Sequence, residues 1–432
     1  MNKCFLKDIA QIDISSVDKK VKENEISIKL CNFTDVYNNW AITERMYNNF
    51  MNATANRSEI ERYKLKKGMI AITKDSEKKE DIGMSSYIAD SFDDVILGYH
   101  TALINPYSKN VDSKYLNAYL NSYIARKYFS KSASGSGQRY TLTIDIIKKL
   151  PLYLPSLDIQ KKIGNLLSNI DRKIEINYQI NNNLEELMKT IYQRWFIEFE
   201  FPNEEGKPYK SNGGKLYYNR ELKHSLPEGW KVSKIKDCIK HINTGLNPRD
   251  NFVFGKGKIK YITVKNINEN GTLDFSNCDL IDENAWKIIH NRSDIRKDDI
   301  LFASIAPLGR CYLIMENPKD WEINESVFSI RPNNKVISSA YLYRYLMSEY
   351  FVKKAERSST GSVFNGIRIN VLENMNIVIP NDQILDNFSQ IIKNIMIKKY
   401  YYEKENVYLN MIKTELLPLL INGQINVDDI EI

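Results

Sequence analysis

The chain has 432 residues, 43% hydrophobic and 27% charged, which is too long for one compact domain and excludes wholesale disorder. No run approaches eighteen uninterrupted apolar residues, and Met1-Asn2-Lys3-Cys4-Phe5 lacks the layout of a secretory signal. Cys4, Cys31, Cys238, Cys278 and Cys311 form no CxxC pattern, so the expectation is an intracellular, cytoplasmic protein with free thiols and no membrane partner.

The net charge of +7 sits mainly in two blocks, with 23 Lys/Arg against 18 Asp/Glu over 1–155 and 22 against 18 over 227–380. Each is a modest excess, compatible with a phosphate-binding surface without demanding one.

In chain order, strand-like runs at 69–73 and 95–97 and a helical stretch near 115–129 lead to a closing strand, LPLYLP, at 150–155. A heptad seam then runs Ile163, Leu167, Ile170, Ile174, Asn177, Asn181, Leu184, Met188, Ile191, Trp195, alternating steps of four and three. It predicts a helix from after Pro155 to before Pro202, about 60 Å long at 1.5 Å per residue. An Asn-rich composition favours a splayed, hydrated seam at Asn177 and Asn181 over register control. Residues 202–226, with Gly206, Pro208, Gly213 and Gly214, read as an exposed linker.

The remainder of the chain is a diverged second copy of the first part. Tyr115-Leu116-x-x-Tyr119-Leu120-x-Ser122 recurs as Tyr341-Leu342-x-x-Tyr345-Leu346-x-Ser348 at an offset of 226, and LPLYLP as MNIVIP, ending at Pro380, at 225. Strand-like runs at 258–264 and 300–304 and a helical stretch near 341–354 occupy the second copy. Its seam reads Phe388, Ile392, Ile395, Lys399, Tyr402, Asn406, Leu409, Lys413, Leu416, Leu420, patchier than the first, with Pro418 expected to end the helix. A rod this long needs another rod to bury its stripe, and the second helix is the evident partner. The predicted fold class is α+β: two tandem α/β regions (1–155 and 227–380), each with one central sheet and each followed by a long helix (156–201 and 381–418), with a tail at 419–432.

Catalytic patterns are missing. There is no GxxxxGK[ST]; Gly135-x-Gly137 has Tyr140 where a third glycine belongs; Asn105-Pro106-Tyr107 lacks the second proline of a base-holding methyltransferase loop. Asp75-Ser76-Glu77-Lys78-Lys79 reads as a solvated charge run, and His100, His224, His241 and His290 lack metal-ligand spacing. What does recur is a polar, glycine-containing basic loop before each closing strand, Lys131-Ser132-Ala133-Ser134-Gly135-Ser136-Gly137-Gln138-Arg139-Tyr140 and Arg357-Ser358-Ser359-Thr360-Gly361-Ser362-Val363-Phe364-Asn365-Gly366-Ile367-Arg368. Glycines allow close backbone approach, hydroxyls and amides bond phosphates, and Arg, Gln and Asn read base edges.

This pattern resembles the specificity subunit of type I restriction–modification systems, the HsdS family, over nearly the whole chain. The resemblance rests on the segment PSLDIQKKIGNLLSNIDRKIEINYQINNNLEELMKTIYQRWFIEF from Pro155, on LPEGW at 226–230, and on the GSGQRY and TGSVFNGIRI loops. Asn32-Phe33-Thr34-Asp35-Val36-Tyr37, Thr73-Lys74-Asp75-Ser76-Glu77 and Gly98-Tyr99-His100 resemble one subgroup of recognition domains. The resemblance implies two target-recognition domains joined by an antiparallel coiled coil that acts as a ruler between halves of a bipartite duplex target. It also implies a non-catalytic chain without its own cofactor. Two modification subunits would carry S-adenosylmethionine and methylate adenine at N6, and restriction subunits would use ATP and Mg. Lys399 and Lys413 depart from an apolar seam and question the second helix's packing.

The expected DNA contacts are Lys74, Ser76, Tyr99, Gly135, Ser136, Gln138, Arg139 and Tyr140 in the first region. In the second they are Thr244, Asn247, Arg249, Lys265, Asn266, Ser304, Arg310, Thr360, Gly361, Ser362, Asn365 and Arg368. The helix–helix contacts are Ile163, Leu167, Ile170, Ile174, Leu184, Met188 and Ile191 with Phe388, Ile392, Ile395, Leu409 and Leu416. Two alternatives stand: the specificity subunit of a bipartite-site type II system with a fused nuclease–methyltransferase partner, and a coiled-coil scaffold that does not bind DNA.

Overall fold

The computed structural model describes residues 2–136, 138–249, 251–358 and 366–430. It divides into two compact units, Met1–Ile176 with Glu405–Ile432, and Asn177–Lys404. No helix among the described residues is long and apolar enough to cross a membrane.

In the first unit a five-stranded sheet runs in the order Ala10–Ile14, Thr101–Pro106, Ile70–Thr73, Ser85–Ile88, Ala41–Ile42. All its pairings are antiparallel except the last. A separate three-stranded sheet, Met51–Ala55, Ile26–Cys31, Val95–Leu97, carries its own core around Leu30, Ile96 and Phe92. The expected single central sheet is therefore two. Strands such as Ile70–Thr73 and Val95–Leu97 are buried on both faces, so they lack the polar alternation that assigns strands to a sheet face.

Helices Ser113–Leu120 and Tyr123–Ser132 cover the larger sheet with Tyr115, Leu116, Tyr119, Leu120 and Phe129, all buried. Asp112 caps the first of them by accepting from Tyr115 N at 2.9 Å. Asn2–Phe5 pairs antiparallel with Pro151–Leu154, so the region's first and last strands are neighbours, and Tyr119 donates its hydroxyl to Pro151 O at 3.2 Å.

The second unit repeats this plan. Ile239–Thr244, Val327–Pro332, Ile300–Ala303 and Cys311–Leu313 form its larger sheet; Asp279–Ile281, Ile259–Ile262 and Trp321–Ile323 form the smaller. Lys231–Lys234 pairs with Asn376–Ile379. Helices Ser339–Leu346 and Glu349–Ser358 take the covering position. Ser338 caps the first of these from the place of Asp112, and Tyr345 donates to Asn376 O at 2.5 Å as Tyr119 does to Pro151 O. The stretch expected as a linker is exposed yet folded: Leu216–Asn219 pairs with His224–Pro227, and Tyr209 stacks on Phe201 at 4.5 Å.

The two long helices pack together antiparallel. The first spans Leu157–Tyr192 and ends in a π turn, Gln193–Ile197. The second spans Asp382–Ile421 with Pro418 inside it, a correction to the expected stop. Proline removes one N–H near the end, but its own carbonyl still accepts from Asn422 N at 3.1 Å, and Leu420 and Ile421 are held in the first unit's core. Within the first unit Ile163, Leu167, Ile170 and Ile174 are buried, Leu409 and Leu416 partly so. Within the second, Met188, Phe388, Ile392 and Ile395 are buried, Leu184 and Ile191 partly so.

The polar seam positions are buried rather than splayed, and two of the asparagines donate across the helix pair. In the second unit Asn181 Nδ2 donates to Lys399 O at 3.3 Å; in the first, Asn406 Nδ2 donates to Ile174 O at 3.3 Å. Asn177, Asn181 and Asn406 are all buried, and the cross-helix donations of Asn181 and Asn406 tie each helix to one register, while the buried Oδ1 of Asn181 has no partner among the described residues. The two lysines each find a carboxylate on the other helix, Lys399 on Glu185 at 2.6 Å and Lys413 on Asp171 at 2.8 Å.

Beside Lys399, burial pushes the half-buried Glu403 carboxyl from 4.5 to about 7, opposed by Lys399 and assisted by Glu185. A raised carboxyl binds its proton more tightly folded than unfolded, so stability falls as pH rises from about 4.5 to 7. Thermal melts across that window are expected to show the fall, and Glu403→Gln to flatten it.

Candidate nucleic-acid interface

The larger sheet of each region brings several loops to one end. In the first unit Thr101 pairs with Thr73 and Ala102 with Ile14, so the segments after Ile14 and Thr73 and the one before Thr101 emerge together. The chain leaving Thr73 forms a short strand, Asp75–Ser76, that pairs with Arg139–Thr141, itself paired with Ser134–Ser136. The polar loop is thus a hairpin seated on the sheet end. Gly135 is required there: its φ is +130°, and a Cβ would stand 2.1 Å from Arg139 O.

Asp75 organises this end, a role its sequence context does not announce; far from being part of a solvated charge run, its side chain is only 7% exposed. Oδ1 accepts from Thr141 Oγ1 at 2.6 Å, and Oδ2 accepts from Lys74 Nζ at 2.9 Å and Arg139 Nη2 at 3.3 Å. His100 Nδ1 lies 2.7 Å from Oδ2, and Arg139 Nη2 lies against both ring nitrogens, Nδ1 and, at 3.0 Å, Nε2. Burial alone would raise the Asp75 carboxyl, but the bonds from Thr141, Lys74 and His100 outweigh it and hold it below its ordinary value.

Lys74 therefore turns inward, with Nζ 5.5 Å from the centre of the exposed Tyr99 ring. Gln138 and Arg139 are exposed on the wall of an open cleft of about 470 Å³ that Ser76, Phe33 and Tyr37 also line. Tyr140 packs under Lys79 at 5.1 Å, and Ser136 lies in the first strand of the hairpin.

The second unit builds the same frame from other side chains. Leu142 N donates to Lys74 O at 2.7 Å in the first; Ile367 N donates to Ser304 O at 2.8 Å in the second. An isolated bridge between Ile305 and Gly366 stands where Asp75–Ser76 meets Arg139–Thr141. Thr360, Gly361, Ser362 and Asn365 lie outside the described residues, and Arg368 is exposed just beyond them.

The remaining expected contacts are spread around this unit. Arg249 and Lys265 are exposed, and Asn247 and Thr244 are half-buried, with Arg292 Nε donating to Thr244 Oγ1 at 3.2 Å. Arg310 is bonded to Glu269 at 3.0 Å. Asn266 and Ser304 are buried: Asn266 Oδ1 accepts from Thr263 N at 2.9 Å and Ser304 Oγ donates to Ser326 O at 2.8 Å. Both side chains thus serve the region's own turns. Sequence reasoning also misses a buried carboxylate, Glu322, held by His290 Nδ1 at 2.6 Å and Ser293 Oγ at 2.7 Å.

Two copies of one α/β region, each presenting a differently furnished loop end and running on into a long helix of a shared pair, define a tandem recognition scaffold. The family model described as the type I restriction modification DNA specificity domain matches residues 1–186 and 227–405. The chain belongs to that family: it is a type I restriction–modification specificity subunit, the part of such a restriction enzyme that recognises the DNA target.

Its relatives include the type I restriction enzyme MjaIX specificity subunit of Methanocaldococcus jannaschii, 26% identical over 77% of this chain and 76% of that one. The HindI specificity subunit of Haemophilus influenzae is 23% identical over 84% and 87%. In fold it matches the crystal structure of a type I S subunit from M. genitalium with a TM-score of 0.55, at 13% identity, covering 97% of this chain and 95% of that one.

Proposed function

We propose that the chain is the non-catalytic subunit that reads a bipartite duplex target, one half per region. We further propose that it holds two modification subunits, which carry S-adenosylmethionine for adenine N6 methylation, and restriction subunits that use ATP and Mg. The supporting observation is the pair of equivalent loop ends, Lys74-Asp75 with Leu142 and Ser304-Ile305 with Ile367, in which one backbone frame carries two unrelated sets of side chains. Keeping the frame and changing the loops is how a scaffold reads two different sequences. In this reading Arg139 and Arg368 address bases, and the antiparallel helices set the spacing between half-sites.

Co-purification with its partners followed by sequencing of genomic N6-methyladenine tests this. A split target that disappears when the gene is deleted supports it; an unsplit target or none overturns it. Once the target is known, Arg139→Ala and Arg368→Ala are each expected to cost about 1–3 kcal/mol and to relax the base preference of one half only. Competition titrations with half-site variants measure both effects.

A further inference from the structure

The second unit closes around the end of the first long helix and receives it side chain by side chain. Glu185 pairs with two buried cations, Arg344 through Nη1 and Lys399 at 2.6 Å. Met188 is wholly buried in the core, and the Tyr192 ring lies 6.1 Å from Tyr341 and 6.2 Å from Phe388. Steps of three and four put these residues on one helix face. Beyond them Phe196, Phe199 and Phe201 surround Trp230, at 5.7, 5.6 and 5.3 Å between ring centres. A carboxylate, a thioether and a row of aromatic rings thus enter one socket.

The second helix repeats the first, and two hydrogen bonds fix the register between the copies. Asn181 donates to Lys399 O and Asn406 to Ile174 O, and the two donors, like the two acceptors, are 225 residues apart. The same step makes Asn410, Lys413 and Leu417 the counterparts of Glu185, Met188 and Tyr192. A second copy of the second helix, laid in the socket, would bring an amide where the carboxylate stands and an ammonium to the place of a buried thioether. Arg344 and Lys399 would lose their shared acid and meet a third cation, with Glu403 the acidic neighbour that remains. Uncompensated buried charge is strongly destabilising. Nor would the rings be replaced, because the chain after Ile421 reads Asn422-Gly423-Gln424-Ile425-Asn426.

The converse exchange is milder. In the first unit Asn410 is exposed, and Lys413 pairs with Asp171, whose side chain is 21% exposed, and lies 4.0 Å from the Trp40 ring centre. A first helix arriving there would put Glu185 in water and Met188 against Trp40. The discrimination therefore runs in one direction.

We propose that the second unit is a selective receptor for a helix of the first type, from its own chain or from another copy, and that it rejects a second copy of its own helix. Half-subunits then associate first with second, and never second with second. No DNA contact enters this proposal, so it stands apart from the recognition reading.

The test starts from the full chain with a protease site in the exposed turn at 203–207, purified whole and then cut. Isotope-labelled and unlabelled cut protein are mixed, urea is raised until pieces exchange and is then removed, and native mass spectrometry counts the pairs. First-with-second pairs of mixed label are expected, with second-with-second pairs at most about one in a hundred of them. Asn410→Glu, Lys413→Met and Leu417→Tyr together give the second helix the pattern of the first. They should raise second-with-second pairs about tenfold or more.

Unaltered second pieces that pair with each other as abundantly as with first pieces overturn the proposal. So do cut pieces that return only as single chains, because the socket then holds nothing in trans. A triple variant that still pairs with first pieces yet never with itself would place the selectivity outside these three positions and overturn the assignment.

Discussion

Replacing Glu185 by Ala is expected to lower the stability of the second unit by about 3–5 kcal/mol. Glu185 is the sole carboxylate that an ion pair links to two buried cations among the described residues, Arg344 through Nη1 and Lys399 at 2.6 Å. The three side chains are 9%, 3% and 4% exposed, so solvent does little to screen what is left when the carboxylate goes. Lys399 keeps its bond to Asn270 O, at 2.6 Å, with the burial-raised Glu403 carboxyl as its remaining acidic neighbour, and Arg344 loses its ion pair.

Changing all three, as Glu185→Leu, Arg344→Leu and Lys399→Met, removes the charges together and is expected to be close to neutral. Thermal unfolding followed by circular dichroism compares the variants. Equal destabilisation by the single and triple changes would mean that packing volume, not uncompensated charge, is what Glu185 supplies.

The second large effect falls on Asp75. Asp75→Asn keeps the shape but removes the charge that gathers Lys74, His100 and Arg139, and it reverses the acceptor facing Thr141 or Lys74. Leaving cations at a partly dry site without their anion costs about 2–5 kcal/mol, so target affinity is expected to fall roughly 30-fold at the least. The loss should appear as relaxed preference in one half-site, with the other unaffected, in binding titrations against half-site variants.

The sign with pH is also determined. Because Asp75 is held below 3.8, its contribution is present above that value and disappears only as pH falls through the lower folded one. The deficit of the Asn variant should therefore be the same at pH 6 and pH 8. A deficit that changed between those two values would mean that Asp75 is not the group responsible.

Much of this molecule is readable in one dimension because its strongest signals are local. The heptad seam from Ile163 to Trp195 and the repeated Tyr-Leu-x-x-Tyr-Leu stretches announce a long helix and a duplicated region, since helix periodicity needs no knowledge of the partner. Lys399 and Lys413 look like flaws in the second seam because their carboxylates, Glu185 and Asp171, are 214 and 242 residues away. Asp75 is hidden in the same way: its partners at 139 and 141 meet it only through the hairpin and that at 100 only through the pairing of Thr101 with Thr73, and beside Glu77, Lys78 and Lys79 it looks like one more surface charge.

The division into two sheets per region is illegible for another reason. Val95–Leu97 pairs in parallel with Ile26–Cys31, and short, fully buried strands carry no polar face to indicate which sheet they join.

The pairing of Asn2–Phe5 with Pro151–Leu154, and of Lys231–Lys234 with Asn376–Ile379, has a genetic consequence. Each region begins and ends at one pair of adjacent strands, like a bead closed by its own clasp. One recombination crossover in each strand of a clasp would exchange the whole reading head and leave every residue of the long helices unaltered. An incoming head would need a tyrosine to seal the clasp, as Tyr119 does on Pro151 O and Tyr345 on Asn376 O, and partners for the helix residues it meets, as Arg344 is for Glu185 and Trp40 for Lys413. New target sequences would then arise by shuffling intact heads, without passing through subunits that no longer fold.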